Sequence, residues 1–395
     1  MTFWNKLMNR QSKDTFCLVF FFSLLVVSCQ PTKPVVKIGL NAEITGEAPA
    51  VGASCVNAAK LYVSEVNQSG GIDIAGKKMP IELVIGDNGS KADESVAISQ
   101  RLIAQNEVVA MVGPNVSSCA VPSSEIAESM GCLMNSPWST NLRTTRNSDG
   151  SFKKNVFRAC FTELVETPLL AQFALNNLHL SKAAILYDIS SESPNSAAHE
   201  FQKSFLQAGG KVVATETYTT GDRDFSAQLT KIKAENPDVF FIPAYYNDVP
   251  LIAQQARRLG ITAQLIGYNS WSTSDLLKLD TGHCLNNAYF SNHFSLESGL
   301  PKEKKFAAQY QATYGQPPDD IAALTYDTMG LVTEAIAKAD SLNRKAIINA
   351  MAHIEFFSGV TGDFSFIKES HDPLKDIIIL TIKDGKFIYV KTVKP

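Results

Sequence analysis

The sequence predicts an α/β chain made of two Rossmann-like, doubly wound lobes. Three observations predict it. Apolar runs of strand length alternate with longer helix-patterned segments from residue 35 to 113, the alternation starts afresh near Lys182, and glycine pairs stop helices in both series.

Taken in order, Val35–Leu40 reads as a strand, Ala50–Gln68 as a helix stopped at Gly70-Gly71, and Ile81–Gly86 as a second strand. Ser90, with Asp93 and Glu94, opens a helix running to about Asn106, and Val108–Gly113 is the next strand. The order is βαβαβ, which calls for a parallel sheet. Cys132–Asn135 adds another strand.

The second series begins with strand Ala183–Tyr187 and helix Ser196–Ala208, whose Phe201, Phe205 and Leu206 share a face and whose stop is Gly209-Gly210. Strand Val212–Tyr218, a helix marked by Phe225, Leu229 and Ile232, strand Val239–Ile242, helix Pro250–Leu259 and strand Leu265–Gly267 follow. The tail breaks the alternation. Helices near Lys302–Tyr314 and Ile321–Ala339 precede two terminal strands, Ile377–Ile382 and Phe387–Val390, and must be added to one lobe or the other.

The 395 residues are 45% hydrophobic and 19% charged, with 23 Gly and 17 Pro, which excludes collagen, coiled coil and disorder. There are 36 Lys and Arg against 39 Asp and Glu, a formal charge of −3 spread along the chain. No basic patch of the kind a nucleic acid needs is present, so DNA and RNA are excluded as partners.

Lys6, Arg10 and Lys13 precede an apolar run, Phe16 to Val27, in the order of a secretory signal. Twelve residues are too few to span a bilayer as a helix, which takes about 20. The run ends Val26-Val27-Ser28-Cys29, which resembles the lipobox of bacterial lipoproteins. On that resemblance residues 1–28 are the signal peptide, Cys29 is the lipidated mature N-terminus, and 29–34 form a linker. An ordinary cleaved signal peptide with a coincidental cysteine is the competing reading. Either way the protein is expected outside the cytoplasm, in the periplasm or on the outer face of the cell membrane. Removing residues 1–28 leaves 33 basic against 38 acidic side chains, a formal −5.

Of seven cysteines, Cys55, Cys119, Cys132, Cys160 and Cys284 remain once Cys17 is cleaved and Cys29 lipidated. No CxxC and no zinc-type Cys/His spacing occurs, so no metal site is expected and the thiols read as small core residues.

Ligands of open parallel sheets bind beyond the carboxyl ends of the strands. After Val108–Gly113 come Pro114-Asn115-Val116-Ser117-Ser118, whose hydroxyls and amides suit an anion or simply start a helix. After Cys132–Asn135 come Ser136-Pro137-Trp138-Ser139-Thr140-Asn141. In the second series Ala244-Tyr245-Tyr246-Asn247-Asp248 and Tyr268-Asn269-Ser270-Trp271 hold the equivalent places. Aromatics at strand ends are often only lids on the core. Their pairing with hydroxyls at matching ends of both lobes describes a ligand cleft. Enzymatic motifs are missing: no G-x-S-x-G, Walker A, G-x-G-x-x-G or H-E-x-x-H occurs, and the histidines at 179, 199, 283, 293, 353 and 371 fall mostly away from those strand ends. No catalytic residue and no cofactor is expected.

These residues resemble the type I periplasmic solute-binding proteins of ABC importers, in particular the leucine/isoleucine/valine-binding branch in lipoprotein form. The resemblance is carried by Ile38-Gly39 with Ile44-Thr45-Gly46, Val66-Asn67-Gln68-Ser69-Gly70-Gly71-Ile72, and Val112-Gly113-Pro114 with Ser117-Ser118. Asn135-Ser136-Pro137 to Thr140-Asn141 and Val156-Phe157-Arg158 continue it, followed by Gly221 to Tyr246, Gln255-Ala256-Arg257 and Gly359-Val360-Thr361-Gly362. Their order from about Val35 to Val390 is the specific feature.

The resemblance implies a non-enzymatic, monomeric receptor with two lobes joined by three crossover hinge segments, near Phe157–Phe161, Asn286–His293 and Gly359–Phe364. It gives the N-terminal lobe residues 35–157 and 290–360, and the C-terminal lobe 158–289 and 361–395. Carried over by motif, Ser117 with Ser118, and Thr140 with Ser139, resemble the contacts to a ligand carboxylate. Trp138 stands where relatives commonly have a small residue, and Tyr245 resembles the tyrosine near the ligand amine. Asn269 stands where relatives have the acid that pairs with the ammonium, and Glu192-Ser193 where an aromatic is expected. The carboxylate end is retained and the ammonium end altered: either another acid takes the ammonium, with Glu192 expected ahead of Glu163 and Asp248, or the natural ligand lacks a free α-amine. The implied role is the solute-binding component of an ABC importer, handing a small carboxylate-bearing solute such as an amino acid to a permease in the inner or cytoplasmic membrane. A ligand sensor signalling to a membrane receptor or kinase needs the same cleft and is the alternative.

Overall fold

The structure, a computed structural model, describes residues 34–395 except 298, 300 and 367–369. The expected leader 1–28, Cys29 and all but the last residue of the linker lie outside the described residues.

The first sheet is built from β1 (Val36–Ala42), α1 (Pro49–Gln68), the hairpin β2 (Ile72–Ile74) and β3 (Lys77–Met79), β4 (Ile81–Asp87) and α2 (Ala92–Ala104). It continues with β5 (Ala110–Val112), α3 (Ser117–Ser129), β6 (Leu133–Ser136) and β7 (Val156–Arg158). Its order is β4-β1-β5-β6-β7, and every pairing is parallel. Helices cover both faces, so Val36, Ile38 and Leu40 of β1 are all fully buried. The sequence places the start of α2 at Ser90, but Ser90 has φ +58° and its hydroxyl is spent on the Thr45 carbonyl and the Ala48 N–H. A left-handed residue cannot begin a right-handed helix, so α2 starts two residues later. Gly113, with φ +83°, closes β5; a Cβ there would lie 2.2 Å from the Asn41 carbonyl oxygen.

The chain then leaves the first sheet. It runs through α4 (Glu163–Gln172), β8 (Lys182–Asp188), α5 (Glu192–Gln207), β9 (Lys211–Tyr218), α6 (Ser226–Ala234) and β10 (Val239–Phe241). Next come α7 (Val249–Arg258), β11 (Gln264–Gly267), α8 (Ser274–Leu279) and β12 (Tyr289–Asn292). Phe201 and Phe205, one turn apart on α5, are fully buried, and Phe201 stacks on Phe241 at 4.0 Å. Truncating such a ring to alanine costs about 3–5 kcal/mol, so this face fixes α5 on the sheet.

α9 (Pro301–Tyr314), α10 (Asp320–Ala339) and α11 (Arg344–Ala352) answer the question posed by the tail. α10 packs on α1, with Tyr326 Oη on Glu65 at 2.5 Å and Tyr62 Oη on Thr333 at 2.6 Å, so these helices belong to the first lobe. A small antiparallel sheet of β13 (Phe356–Gly359), β14 (Gly362–Phe366) and β15 (Pro373–Leu374) follows. The last strands, β16 (Ile377–Lys383) and β17 (Lys386–Val393), join the second sheet, whose order is β17-β16-β12-β11-β10-β8-β9. They pair antiparallel, so the second sheet is parallel only from β12 to β9. Strand β12, which a lobe limit at 290 would divide, lies wholly in the second sheet. Residues 359–364 turn from β13 into β14, and the chain regains the second sheet at Ile377.

The order of each sheet sets where a ligand can sit. Strand order reverses between β1 and β5 in the first sheet and between β8 and β10 in the second. The loops after those strands form the crevices an open α/β sheet offers.

Candidate functional site

Residues from the two crevices line one cavity of about 260 Å³. Glu47, Val116 and Ser118 face it from the first lobe, and Ser191, Tyr245 and Asp248 from the second. The polar groups converge just inside it.

On the first lobe, α3 begins at Ser117 directly after β5, so its unpaired N–H groups point out of the sheet edge. The buried Glu43 carboxylate, after β1, takes the N–H groups of Asn115 (3.0 Å) and Val116 (3.2 Å) through Oε1. It thereby fixes the loop. Ser117 Oγ lies 2.9 Å from Ser139 Oγ, which lies 2.7 Å from Thr144 Oγ1. Ser118 is half-buried and faces the cavity.

The loop carrying Ser139 and Thr140 is held from behind. Arg158, fully buried at the end of β7, donates to the carbonyls of Ser139 (2.5 Å) and Asn141 (2.8 Å) and to Asp372 (2.7 Å). Burial pushes the Asp372 carboxyl up, but the Arg158 guanidinium, with help from Thr145 and Arg146, outweighs it and holds the group below its usual range.

On the second lobe, Glu163 starts α4 and is fully buried. Its Oε1 accepts the Thr140 hydroxyl at 3.0 Å, and Oε2 makes no hydrogen bond among the described residues. Burial is the main influence on Glu163, and its carboxyl is pushed up to about 7. Ser193 Oγ reaches both Thr140 Oγ1 (3.3 Å) and the Tyr268 hydroxyl (3.4 Å), which it supplies with a donor. Glu166, one turn after Glu163, accepts Asn269 N–H (2.8 Å) and the Ser291 hydroxyl (2.5 Å); burial raises it to about 8.

Trp138 joins the two walls. Its ring lies 6.3 Å from that of Tyr245 across the cleft, and its Nε1 donates to Asp320 Oδ2 at 3.1 Å. Tyr245 is half-buried, and desolvation pushes its hydroxyl well above the ordinary tyrosine range.

The structure thus brings Ser117, Ser118, Trp138, Ser139, Thr140 and Tyr245 together, with Glu163 between the walls. It does not bring Glu192 to them. That side chain is 41% exposed at the start of α5 and pairs at 3.4 Å with Arg143, itself 65% exposed. The next residue, Ser193, is buried and turns inward to Thr140 and Tyr268. Asn269 is buried beside the cluster, but its Nδ2 is turned to His293 at 3.4 Å and its Oδ1 makes no hydrogen bond among the described residues. Asp248 accepts the Tyr218 hydroxyl at 3.1 Å on the far side of the cavity.

Other residues escaped the sequence reading. His293 is the exception to histidines placed away from strand ends: it follows β12, is buried and stacks on Phe161 at 3.6 Å. Trp271, which the sequence placed at a strand end, is a core lid, fully buried under Gly267 with its Nε1 on the Ile242 carbonyl at 3.1 Å. The spacing of Glu163 and Glu166, both facing inward in one turn directly after a crossover, was the available signal for the acids. Among the described residues no group of His, Cys, Asp or Glu is set to hold a metal ion. Cys55, Cys119, Cys132 and Cys160 are buried free thiols, and Cys284 is half-buried and free.

A family model described as periplasmic binding protein matches residues 35–386. The Leu/Ile/Val-binding protein BraC3 of Rhizobium johnstonii is 28% identical over 307 residues, 78% of this chain and 80% of that protein. Two solved structures superpose on it. The branched-chain amino acid transporter substrate-binding protein LivJ of Streptococcus pneumoniae, in complex with isoleucine, has a TM-score of 0.84 at 32% identity, covering 92% of this chain and all of that one. The leucine-binding protein LivK of Thermotoga maritima has a TM-score of 0.85 at 27% identity, covering 91% and 99%.

Proposed function

The chain belongs to the periplasmic binding protein family, a family of solute-binding proteins and not of enzymes, and from that premise we propose that its interlobe cleft binds an amino acid or close relative for delivery to an ABC permease outside the cytoplasm. The carboxylate of the solute rests on the Ser117 hydroxyl and the free N–H groups at the start of α3, where the helix dipole favours an anion, with Ser139 and Thr140 of the loop after β6 beside it. The ammonium is taken by Glu163. Tyr245 and Trp138 close over the apolar part.

The observation that carries this reading is the Glu163 carboxylate, buried between the walls with one oxygen on Thr140, the Ser193 and Ser196 hydroxyls beside it, and no close hydrogen bond to its other oxygen among the described residues. A buried carboxylate with unused acceptor capacity costs free energy unless a cation or proton meets it, and an ammonium meets it with several donors. Glu163 therefore fills the role that the neutral Asn269 cannot. Cys29 supplies the lipid that holds the receptor at the membrane.

Two measurements test the reading. Mass spectrometry identifies the small molecule released when the purified protein is unfolded, and calorimetry on the stripped, refolded protein compares leucine, isoleucine and valine with their des-amino acids. An amino acid or close relative in the first and tighter binding of the amino acids in the second are expected. Preference for the des-amino compounds would remove Glu163 from the ammonium site.

A further inference from the structure

A larger cavity, of about 600 Å³, is lined by Asp320, whose side chain holds the Trp138 indole. Both lobes line it: Ala50 and Ser54 of α1 and the 316–320 turn from the first, Thr273 and Lys278 from the second. Its inner end is polar and acidic. Asp320 is 1% exposed, its Oδ2 holds the Trp138 indole, and its Oδ1 makes no hydrogen bond among the described residues. Thr273 is equally buried, and its hydroxyl likewise has no hydrogen-bond partner among the described residues. Asp319, next in the chain and lining the same cavity, adds a second buried carboxylate.

No described cation lies within ion-pairing distance of Asp319 or Asp320. Lys278 is taken by Asp275 at 2.6 Å. Lys375, the buried lysine at the crossovers, donates to Thr361 Oγ1 at 2.6 Å. The inner end of the cavity therefore offers two unused acceptors beside two buried carboxylates: Asp319 accepts the Ser54 hydroxyl (2.6 Å) and the Ala322 N–H (2.8 Å), Lys375 acts on Asp320 only from beyond ion-pairing distance, and an apolar side chain would leave the two free acceptors unsatisfied.

The geometry points to a second subsite: the 600 Å³ cavity takes the far end of the solute, and Asp320 Oδ1 with Thr273 Oγ1 receives a terminal amine there. The substrate class is then an α-amino acid with a cationic side chain, of the length of ornithine or lysine, and not a branched aliphatic one. Asp320 joins the two compartments. One oxygen orients the indole that walls the α-amino acid site, and the other meets what passes beyond it. This rests on the amino-acid reading above and narrows it.

The test is calorimetry on the stripped protein at pH 7 with L-lysine, L-ornithine and L-norleucine, which has a straight side chain without the amine. Wild-type protein should bind the better of the two cationic ligands at least tenfold more tightly than norleucine. Asp320→Asn, which keeps an oxygen for the Trp138 indole, should bring that ratio below about threefold, and Thr273→Val should lower it in part. Equal affinity for norleucine and the cationic ligands in the wild type, or an unchanged ratio in folded Asp320→Asn and Thr273→Val, overturns the second subsite alone. If none of the three binds while a ligand without an α-amine does, the amino-acid reading fails and the subsite with it.

Discussion

Arg158 Nε lies 2.7 Å from Asp372 Oδ1, and this pair joins the end of β7 to the segment just before β15. The same guanidinium grips the backbone of Ser139 and Asn141, on either side of Thr140. The loop from Ser139 to Asn141 is therefore braced by an ion pair between two distant stretches of chain.

Arg158→Met should destabilise the protein by about 3–5 kcal/mol, because it leaves Asp372 buried with only the half-exposed Arg146 to meet it. Urea unfolding measures this. Solute affinity should fall as well, since the Ser139 and Asn141 carbonyls lose their donors. Unchanged stability would show that Arg146 compensates.

The buried acids predict an unusual pH dependence. Glu163, raised from 4.5 to about 7, and Glu166 and Asp320, each raised to about 8, bind protons more tightly folded than unfolded. The ligand-free protein should therefore be most stable below about pH 4.5 as far as these groups are concerned, losing that contribution as pH rises through 7 to 8. Chemical unfolding at pH 5, 6, 7 and 8 checks the sign, and Glu163→Gln should flatten the slope.

An ammonium at Glu163 favours its ionised form, so binding should expel a proton near neutral pH. Affinity should rise with pH up to about 7 and then level off. Calorimetry in two buffers of different ionisation enthalpy reads the released proton directly; no difference between buffers at pH 6 would place the ammonium elsewhere.

Glu163→Gln should weaken amino-acid binding more than tenfold, at least ~1.4 kcal/mol, because a buried ammonium loses its counter-charge. Glu192→Gln should change it less than threefold, as its exposed pair with Arg143 is of the kind worth only about 0–1 kcal/mol. The reverse order of effects would return the ammonium to the rim.

Periplasmic binding proteins close by hinge motion around their ligand. Here Thr140 and Glu163, and Trp138 and Tyr245, meet across the cleft. A solute contacting both sides stabilises the closed state by its differential affinity. Small-angle scattering should show a smaller radius of gyration with saturating solute. Mass spectrometry of the mature N-terminus should find Cys29 lipidated; an unmodified residue or cleavage elsewhere would leave an ordinary signal peptide.

What the sequence determined by itself was the alternation of strands and helices, and through it the strand ends where Ser117, Thr140, Trp138 and Tyr245 stand. Hydrophobic runs fix the strands, and parallel pairing leaves their carboxyl ends as the ligand edge, so position along the chain already implied position at the cleft. The acids were different. Glu163, Glu192 and Asp248 all fall near the cleft in sequence, and only the packing of α4 against α5 turned Glu163 inward and left Glu192 on the rim. Asp320 and Arg158 were legible as residues but not as site residues. Their partners, Trp138 and Asp372, lie 182 and 214 positions away, and contacts of that range are set by how the lobes fold back on each other, which local patterning does not encode.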